Sequence, residues 1–202
     1  MILRSTSASP FGRKVRIAIK LLGLEDKIEV RETDLNDPAD TIRRQNPLGK
    51  IPALVLDDGT VLFDSRVILE YLDHLAGGGK IVPRDAKARF EALRMQALCD
   101  GVMDASLLIV YEGRYRPEDK RVQAWVDRQA EKVKRGLDAL EAAPPKLTPM
   151  PDVGQITLAC ALGYRDLRFA GDDWRKPYPR LRDWHDKFAA QVPAFAATKH
   201  VG

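Results

Sequence analysis

The chain has 202 residues, with 33 lysines and arginines against 29 aspartates and glutamates, for a net charge of +4. The positives are interleaved with negatives instead of gathered into a stripe, so the surface reads as solvated and a nucleic-acid partner is not expected. No apolar run approaches membrane-spanning length and Met1 leads straight into a strand with no signal peptide, which predicts a cytoplasmic protein with no membrane partner. The length allows one large domain or two small ones. Cys99 and Cys160 both fall in predicted helix interiors, as reduced buried thiols do.

Met1 to Ser5 is a short apolar strand. Ser9-Pro10-Phe11 then opens a helix, with serine as N-cap and proline at the first helical position. Phe11, Val15, Ala18, Ile19 and Leu22 recur at helical spacing, and Gly23 stops the helix. Arg13, Lys14, Arg16 and Lys20 read as that helix's solvated face, or else as a local excess that favours an anionic ligand. Ile28 to Thr33 alternates as a strand, and Asp37 to Arg44 reads as a short polar helix after Asn36.

The most informative stretch follows: Asn46-Pro47-Leu48-Gly49-Lys50-Ile51-Pro52-Ala53-Leu54. A strand from Ala53 to Leu56 begins directly behind Pro52. Proline donates no backbone hydrogen bond and restricts the preceding residue to extended conformations. Ile51 is therefore expected to point its own N–H and C=O away from the sheet, free to pair with something else. A cis bond at Pro52 would strengthen that presentation, and the alternative is an edge-strand start without function. The turn Asp57-Asp58-Gly59, a strand from Val61 to Phe63 and a helix from Ser65 to Leu75 complete this part.

Gly77-Gly78-Gly79 through Pro83-Arg84-Asp85 marks a composition break, dividing the chain into 1–76 and 86–202 with a linker at 77–85. No strand signal follows it. Phe90, Leu93, Ala97, Gly101, Ala105 and Leu108 form one helical stripe; Val122, Val126, Gln129, Val133, Leu137 and Leu140 form another. Pro144 to Pro151 is a loop. Asp152 and Gln155 have capping-box spacing ahead of Ile156 to Leu162, a segment apolar on nearly all sides and so predicted to be the buried centre of a helical domain. A last helix is expected near Arg180 to Ala190. His74, His185 and His200 are scattered and no Cys/His pair has ligand spacing, so no metal is expected. The three glycines lack the preceding strand of a phosphate loop, and no serine lies in a nucleophile-elbow sequence.

Ser9-Pro10-Phe11 with Arg13 to Arg16, then Asn46 to Pro52, then Phe63-Asp64-Ser65 with Ile68 and Glu70-Tyr71-Leu72, resembles the glutathione transferase superfamily in order and spacing. The resemblance covers nearly the whole chain. It implies an α/β thioredoxin-like N-terminal domain with a mixed four-stranded sheet, plus an all-α C-terminal domain that contributes an electrophile pocket. It also implies glutathione as co-substrate, detoxifying conjugation to small electrophiles, and a homodimer. Ile51, ahead of Pro52, would pair its backbone with the cysteinyl part of glutathione like an added strand. Ser65 would receive the γ-glutamyl carboxylate, Asp64 would face the ammonium group, and Lys50 would either reach the glycyl carboxylate or stay solvated. Phe11, Tyr111 and Tyr115 would line the electrophile pocket. Asp64 is shorter than the family's usual glutamate or glutamine, and Asp152 with Gln155 replaces a capping box that usually runs from serine or threonine to aspartate.

By the same resemblance Ser9 is the catalytic residue. It sits where a strand feeds a helix N-terminus, a place that stabilises negative charge. Its hydroxyl can donate to a glutathione thiolate and lower the thiol's pKa from about 8.5. Ser5, Thr6 and Ser7 compete for that role, but only Ser9 stands directly before Pro-Phe. No cysteine occurs in the first 98 residues, so no mixed disulfide can form at this point. The chemistry leans to a serine-type transferase. A glutathione-dependent isomerase or dehalogenase is the nearest alternative, and a non-catalytic protein-interaction module is the rival of another class.

Overall fold

The computed structural model describes residues 1–200; positions 201 and 202, the last two of the expected helical region, lie outside the described residues. Strand β1 (Ile2–Ser5) pairs in parallel with β2 (Glu29–Glu32), while β3 (Ala53–Val55) runs antiparallel to β1 and β4 (Val61–Leu62) antiparallel to β3. The sheet order is β2-β1-β3-β4, the mixed four-stranded arrangement of a thioredoxin-like domain. Helix α1 (Pro10–Leu21) connects β1 to β2, and α3 (Ser65–Leu75) packs beside it. Leu3 and Leu54 from the sheet, Val15 and Ala18 from α1, and Ile68 and Leu72 from α3 are all fully buried in one core cluster.

Helix α1 starts and stops as its sequence dictates. The Ser9 hydroxyl oxygen accepts the Gly12 N–H at 3.1 Å and Pro10 follows at the first helical position. Gly23 takes φ +65°, a left-handed conformation open to glycine without penalty, and the Leu24 N–H closes on the Ile19 carbonyl at 2.9 Å.

Three local expectations are corrected. The expected helix at 37–44 shrinks to α2 (Ile42–Gln45). Pro38 disfavours helical geometry at Asp37, and aspartate side chains satisfy the backbone locally: Asp34 accepts Asn36 N–H, Asp37 accepts Ala39 N–H and Asp40 accepts Ile42 N–H. Arg4 then clamps Asp40 with two hydrogen bonds of 2.7 and 2.9 Å. Strand β2 does not bury alternate residues; all four are exposed, Val30 by 46%, because β2 is the sheet edge. The basic face of α1 is not solvated either. Lys14 is fully buried, Arg13 lies over the Phe195 ring and Arg16 bonds the Ser7 carbonyl, leaving Lys20 alone exposed. Helices from the second half of the chain cover that face.

Those helices are α4 (Ala86–Tyr115), α5 (Gln123–Ala142), α6 (Val153–Arg168), α7 (Pro179–Gln191) and a short α8 (Pro193–Ala197) that the sequence reading did not anticipate. Helix α6 is the buried centre: every residue from Val153 to Leu162 is buried. A Cβ on Gly154 would sit 2.8 Å from the Ala92 carbonyl oxygen, so glycine permits α6 to approach α4. The capping box is half formed. Asp152 accepts the Gln155 N–H at 3.0 Å, but the Gln155 side chain donates to the Lys146 carbonyl and accepts the Thr148 hydroxyl, pinning the loop before it. The connection from α3 to α4 is held by the Asp73 carboxylate, which accepts the N–H groups of Gly79, Lys80 and Ile81.

The predicted stripe on α4 is largely reversed. Phe90 is 70% exposed, and Ala97, Gly101 and Leu108 are also exposed, whereas Ala92, Gln96, Cys99, Val102, Met103, Ala105 and Ser106 are buried. Both α5 and α6 pack on α4, so its inward face is wide and admits small and polar residues. The stripe on α5 holds from Gln129 to Leu140, with Val122 exposed.

A single ion pair ties α1 to α4: Lys14 Nζ donates to Asp100 Oδ1 at 2.6 Å, with the lysine side chain 0% and the aspartate 6% accessible. Removing one partner of such a buried pair leaves an uncompensated charge and costs about 3–5 kcal/mol. Lys14→Met should lower the unfolding free energy in guanidinium titration by that amount, and the double variant Lys14→Met/Asp100→Leu should recover most of it. Equal losses in the single and double variants would contradict the coupling.

Candidate functional site

The end of β1, the loop before β3, the start of α3 and the inner faces of α4 and α6 enclose a cleft of about 640 Å³. Ser9, Lys50, Ile51, Pro52, Asp64 and Ser65, together with Phe11, Tyr111 and Tyr115, all line it. The nine residues singled out from the sequence thus converge on one cavity although they span more than half the chain.

The loop before β3 is organised by Asn46, a buried residue whose side chain accepts the Leu48 N–H at 3.0 Å and donates to the Lys50 carbonyl at 2.8 Å. Pairing of β3 with β1 begins only at Ala53, opposite Arg4. Ile51 lies between these two systems, and its N–H and C=O bond to no described residue. The Ile51–Pro52 bond is cis, as is Phe63–Asp64. A backbone donor and acceptor left unpaired beside a cavity are what an added strand needs. Lys50 is exposed at the rim.

Asp64 caps α3. Its Oδ1 accepts the Arg66 N–H at 2.9 Å and its Oδ2 lies 3.1 Å from the Arg66 guanidinium. Desolvation works against its charge, but the Arg66 N–H and guanidinium outweigh it and hold the carboxyl below the usual range. Ser65 is buried at the first helical position, where the backbone N–H has no partner within the helix. Oδ2 of Asp100 also borders the cleft region without a hydrogen bond, 3.7 Å from Arg66 Nε.

The competing hydroxyls separate cleanly. Ser5 is buried beneath α1, its Oγ 2.1 Å from where a Cβ on Gly12 would stand. Ser7 hydrogen-bonds His200 Nδ1 at 2.8 Å and lies outside the cleft. Thr6 and Ser9 both line it. Capping uses a lone pair of the Ser9 oxygen, so its proton stays available to a ligand.

At the far end, Tyr111 and Tyr115 meet edge to face with centroids 5.1 Å apart. Burial pushes the hydroxyls of Tyr111 and Tyr164 up, so both remain neutral. The sequence reading missed Arg66, Asp100, Asp104, Leu107, Arg114, Tyr164 and Arg168 as cleft residues. The helical run Asp104, Leu107, Leu108, Tyr111, Arg114, Tyr115 would have revealed the α4 members, since their spacing puts them on one face. Cys99 and Cys160 are buried away from the cleft, and burial pushes the Cys160 thiol up to about 11. Among the described residues no cluster of three or more His, Cys, Asp or Glu side chains could hold a metal ion, and no helix is long and apolar enough to cross a membrane.

Residues 8–75 match the family model of the glutathione S-transferase N-terminal domain, and residues 123–187 that of the C-terminal domain. The chain is 35% identical over 185 residues, 90% of each protein, to the uncharacterized GST-like protein YibF of Escherichia coli (strain K12). It superposes on the glutathione-bound glutathione S-transferase of Methylobacillus flagellatus with a TM-score of 0.92, at 35% identity over 99% of both chains. A glutathione transferase family member from Pseudomonas fluorescens Pf-5 with bound glutathione gives 0.91, at 39% identity over 100% of this chain and 99% of that one. With the two domain matches, the full-length relatives and a cleft built from the motif residues, this chain belongs to the glutathione S-transferase superfamily.

Proposed function

We propose that this protein is a serine-type glutathione transferase that joins the glutathione thiolate to small electrophiles. The observation that carries the reading is the unpaired Ile51 backbone in the same cleft as the Ser9 hydroxyl. Glutathione lies extended along Ile51, its γ-glutamyl carboxylate on the free N–H of Ser65 and its ammonium group toward Asp64, with Lys50 at the glycyl end. The thiol releases its proton to solvent, and the Ser9 hydroxyl donates to the thiolate. The sulfur then attacks the electrophile held by Phe11, Tyr111 and Tyr115, and the leaving group departs with its electron pair. Cys99 and Cys160 lie outside the cleft, which favours direct attack over disulfide exchange. A non-catalytic module has no use for an organised thiol site. The relatives' bound glutathione supports the co-substrate assignment.

We further propose a homodimer, formed through the outward faces of α3 and α4. Glu70 and Arg89 join these helices at 2.7 Å, and Val67 and Phe90 beside them are 47% and 70% exposed. Phe90→Glu should shift sedimentation from twice the chain mass toward the single chain, and wild-type protein sedimenting at 22.6 kDa would refute the dimer.

Ser9→Ala tests the chemistry. The bound thiol's pKa, followed by thiolate absorbance in the ultraviolet, should rise toward its value in water. Turnover at neutral pH should fall by about ten- to a thousandfold, with a modest loss of glutathione affinity. Loss of the cap should cost about 1 kcal/mol of stability, so rates belong well below the melting transition. An unchanged thiol pKa and turnover would move the role to Thr6 or to a backbone N–H of the same loop.

A further inference from the structure

Helices α4 and α6 end together at the electrophile side of the cleft, and each carries an arginine there. Arg114 lies in the last turn of α4, its guanidinium carbon 6.0 Å from the centre of the Tyr111 ring. Arg168 ends α6, one turn beyond Tyr164. Both line the cleft. The neighbouring arginines are neutralised, Arg116 by Glu112 and Arg165 by Asp172. Among the described residues neither Arg114 nor Arg168 has a carboxylate in ion-pair range, and Arg168 Nε is buried with no hydrogen-bond partner.

Asp104 stands ten positions before Arg114 on α4, about 15 Å of helix. Beside Ser65 the carboxylates of Asp64 and Asp100 are answered by the Arg66 guanidinium, whereas among the described residues the guanidinium groups beside the tyrosines have no carboxylate in ion-pair range. A basic residue in a last helical turn is favoured by the helix dipole, which accounts for each arginine taken singly. It does not account for the buried, unpartnered Nε of Arg168 in a cleft wall that also carries the exposed Arg114 and three tyrosines. An unpaired buried donor costs free energy, and a bound carboxylate is the acceptor that removes that cost. The neutral tyrosine hydroxyls add donors without repelling an anion.

We propose that Arg114 and Arg168 form a carboxylate subsite, and that the second substrate is an electrophile with a carboxylate remote from its reactive carbon. The proposal rests on the transferase reading given above. In the reaction the thiolate sulfur forms a bond to carbon, the carbon–halide bond breaks and the halide leaves with the electron pair. The carboxylate is unchanged and serves as the handle.

The test compares 4-chloro-3-nitrobenzoate with its neutral isostere 4-chloro-3-nitrobenzamide, each rate divided by the uncatalysed rate with glutathione. Wild-type kcat/KM should favour the benzoate by about ten- to a hundredfold, and in Arg168→Met that ratio should collapse toward about one, the loss expected of a charge-assisted contact. Equal effects on both compounds would overturn the proposal. Calorimetry on the two reaction products, S-(4-carboxy-2-nitrophenyl)glutathione and S-(4-carbamoyl-2-nitrophenyl)glutathione, repeats the comparison without turnover. Wild type should bind the carboxy conjugate more tightly, and Arg168→Met should erase the difference. If glutathione itself binds but the two conjugates bind equally, the carboxylate subsite fails and the transferase reading stands. If glutathione does not bind, the transferase reading fails. A fall in affinity for unmodified glutathione as large as that for the carboxy conjugate would assign Arg168 to the peptide's own anchors and overturn the subsite.

Discussion

An ammonium group without water must have a partner, and its own half of the chain offers Lys14 only the face of the Phe11 ring, 5.7 Å from Nζ. The lysine sits inside α1 with no accessible surface, and Asp100 on α4 supplies the counter-charge. That requirement orients α4 across α1 and so builds the cleft, because α4 forms one wall and the end of β1 with the start of α1 forms the other. Around this pair the same principle recurs at lower cost. Arg13 lies over Phe195 and bonds its carbonyl, linking α1 to α8, and the Ile81 carbonyl accepts the N–H of Val153 at the start of α6. The two halves are joined by buried polar contacts as much as by apolar ones.

Within the cleft the two walls do different work. The sheet side offers backbone groups, at Ile51 and at the first turn of α3, whose positions are set by Pro52 and by the Asp64 cap. Backbone donors recognise a peptide whatever its side chains do, which suits a co-substrate that is always the same. The helical side offers side chains, three tyrosines and two arginines, which can be exchanged without disturbing the strand geometry. The proposed selectivity for the second substrate therefore resides in the half of the chain that carries no distinctive motif.

That division also explains what could be read from the sequence. Ser9-Pro10, Ile51-Pro52 and Asp64-Ser65 act through local backbone rules, capping and proline restriction, so their arrangement was legible in a few residues each. The same rules located α3 from Ser65 to Leu75. The failures lie where distant elements decide. Lys14 reads as solvated until α4 is placed over it, and Phe90 reads as buried until α5 and α6 are seen to take the opposite face of α4. Asp37 to Arg44 has a helical composition, yet Arg4 from β1 holds Asp40 in a series of turns. Arg114 and Arg168 are ordinary helix-end residues in the sequence; only their common place on the cleft wall makes them notable.

A crystal structure with reduced glutathione decides whether the peptide pairs with Ile51. The cysteinyl N–H and C=O should lie within about 3.0 Å of the Ile51 backbone, and the sulfur within hydrogen-bonding reach of Ser9 Oγ. A peptide bound with Ile51 still unpaired, or a sulfur directed to Thr6 and away from Ser9, would contradict it.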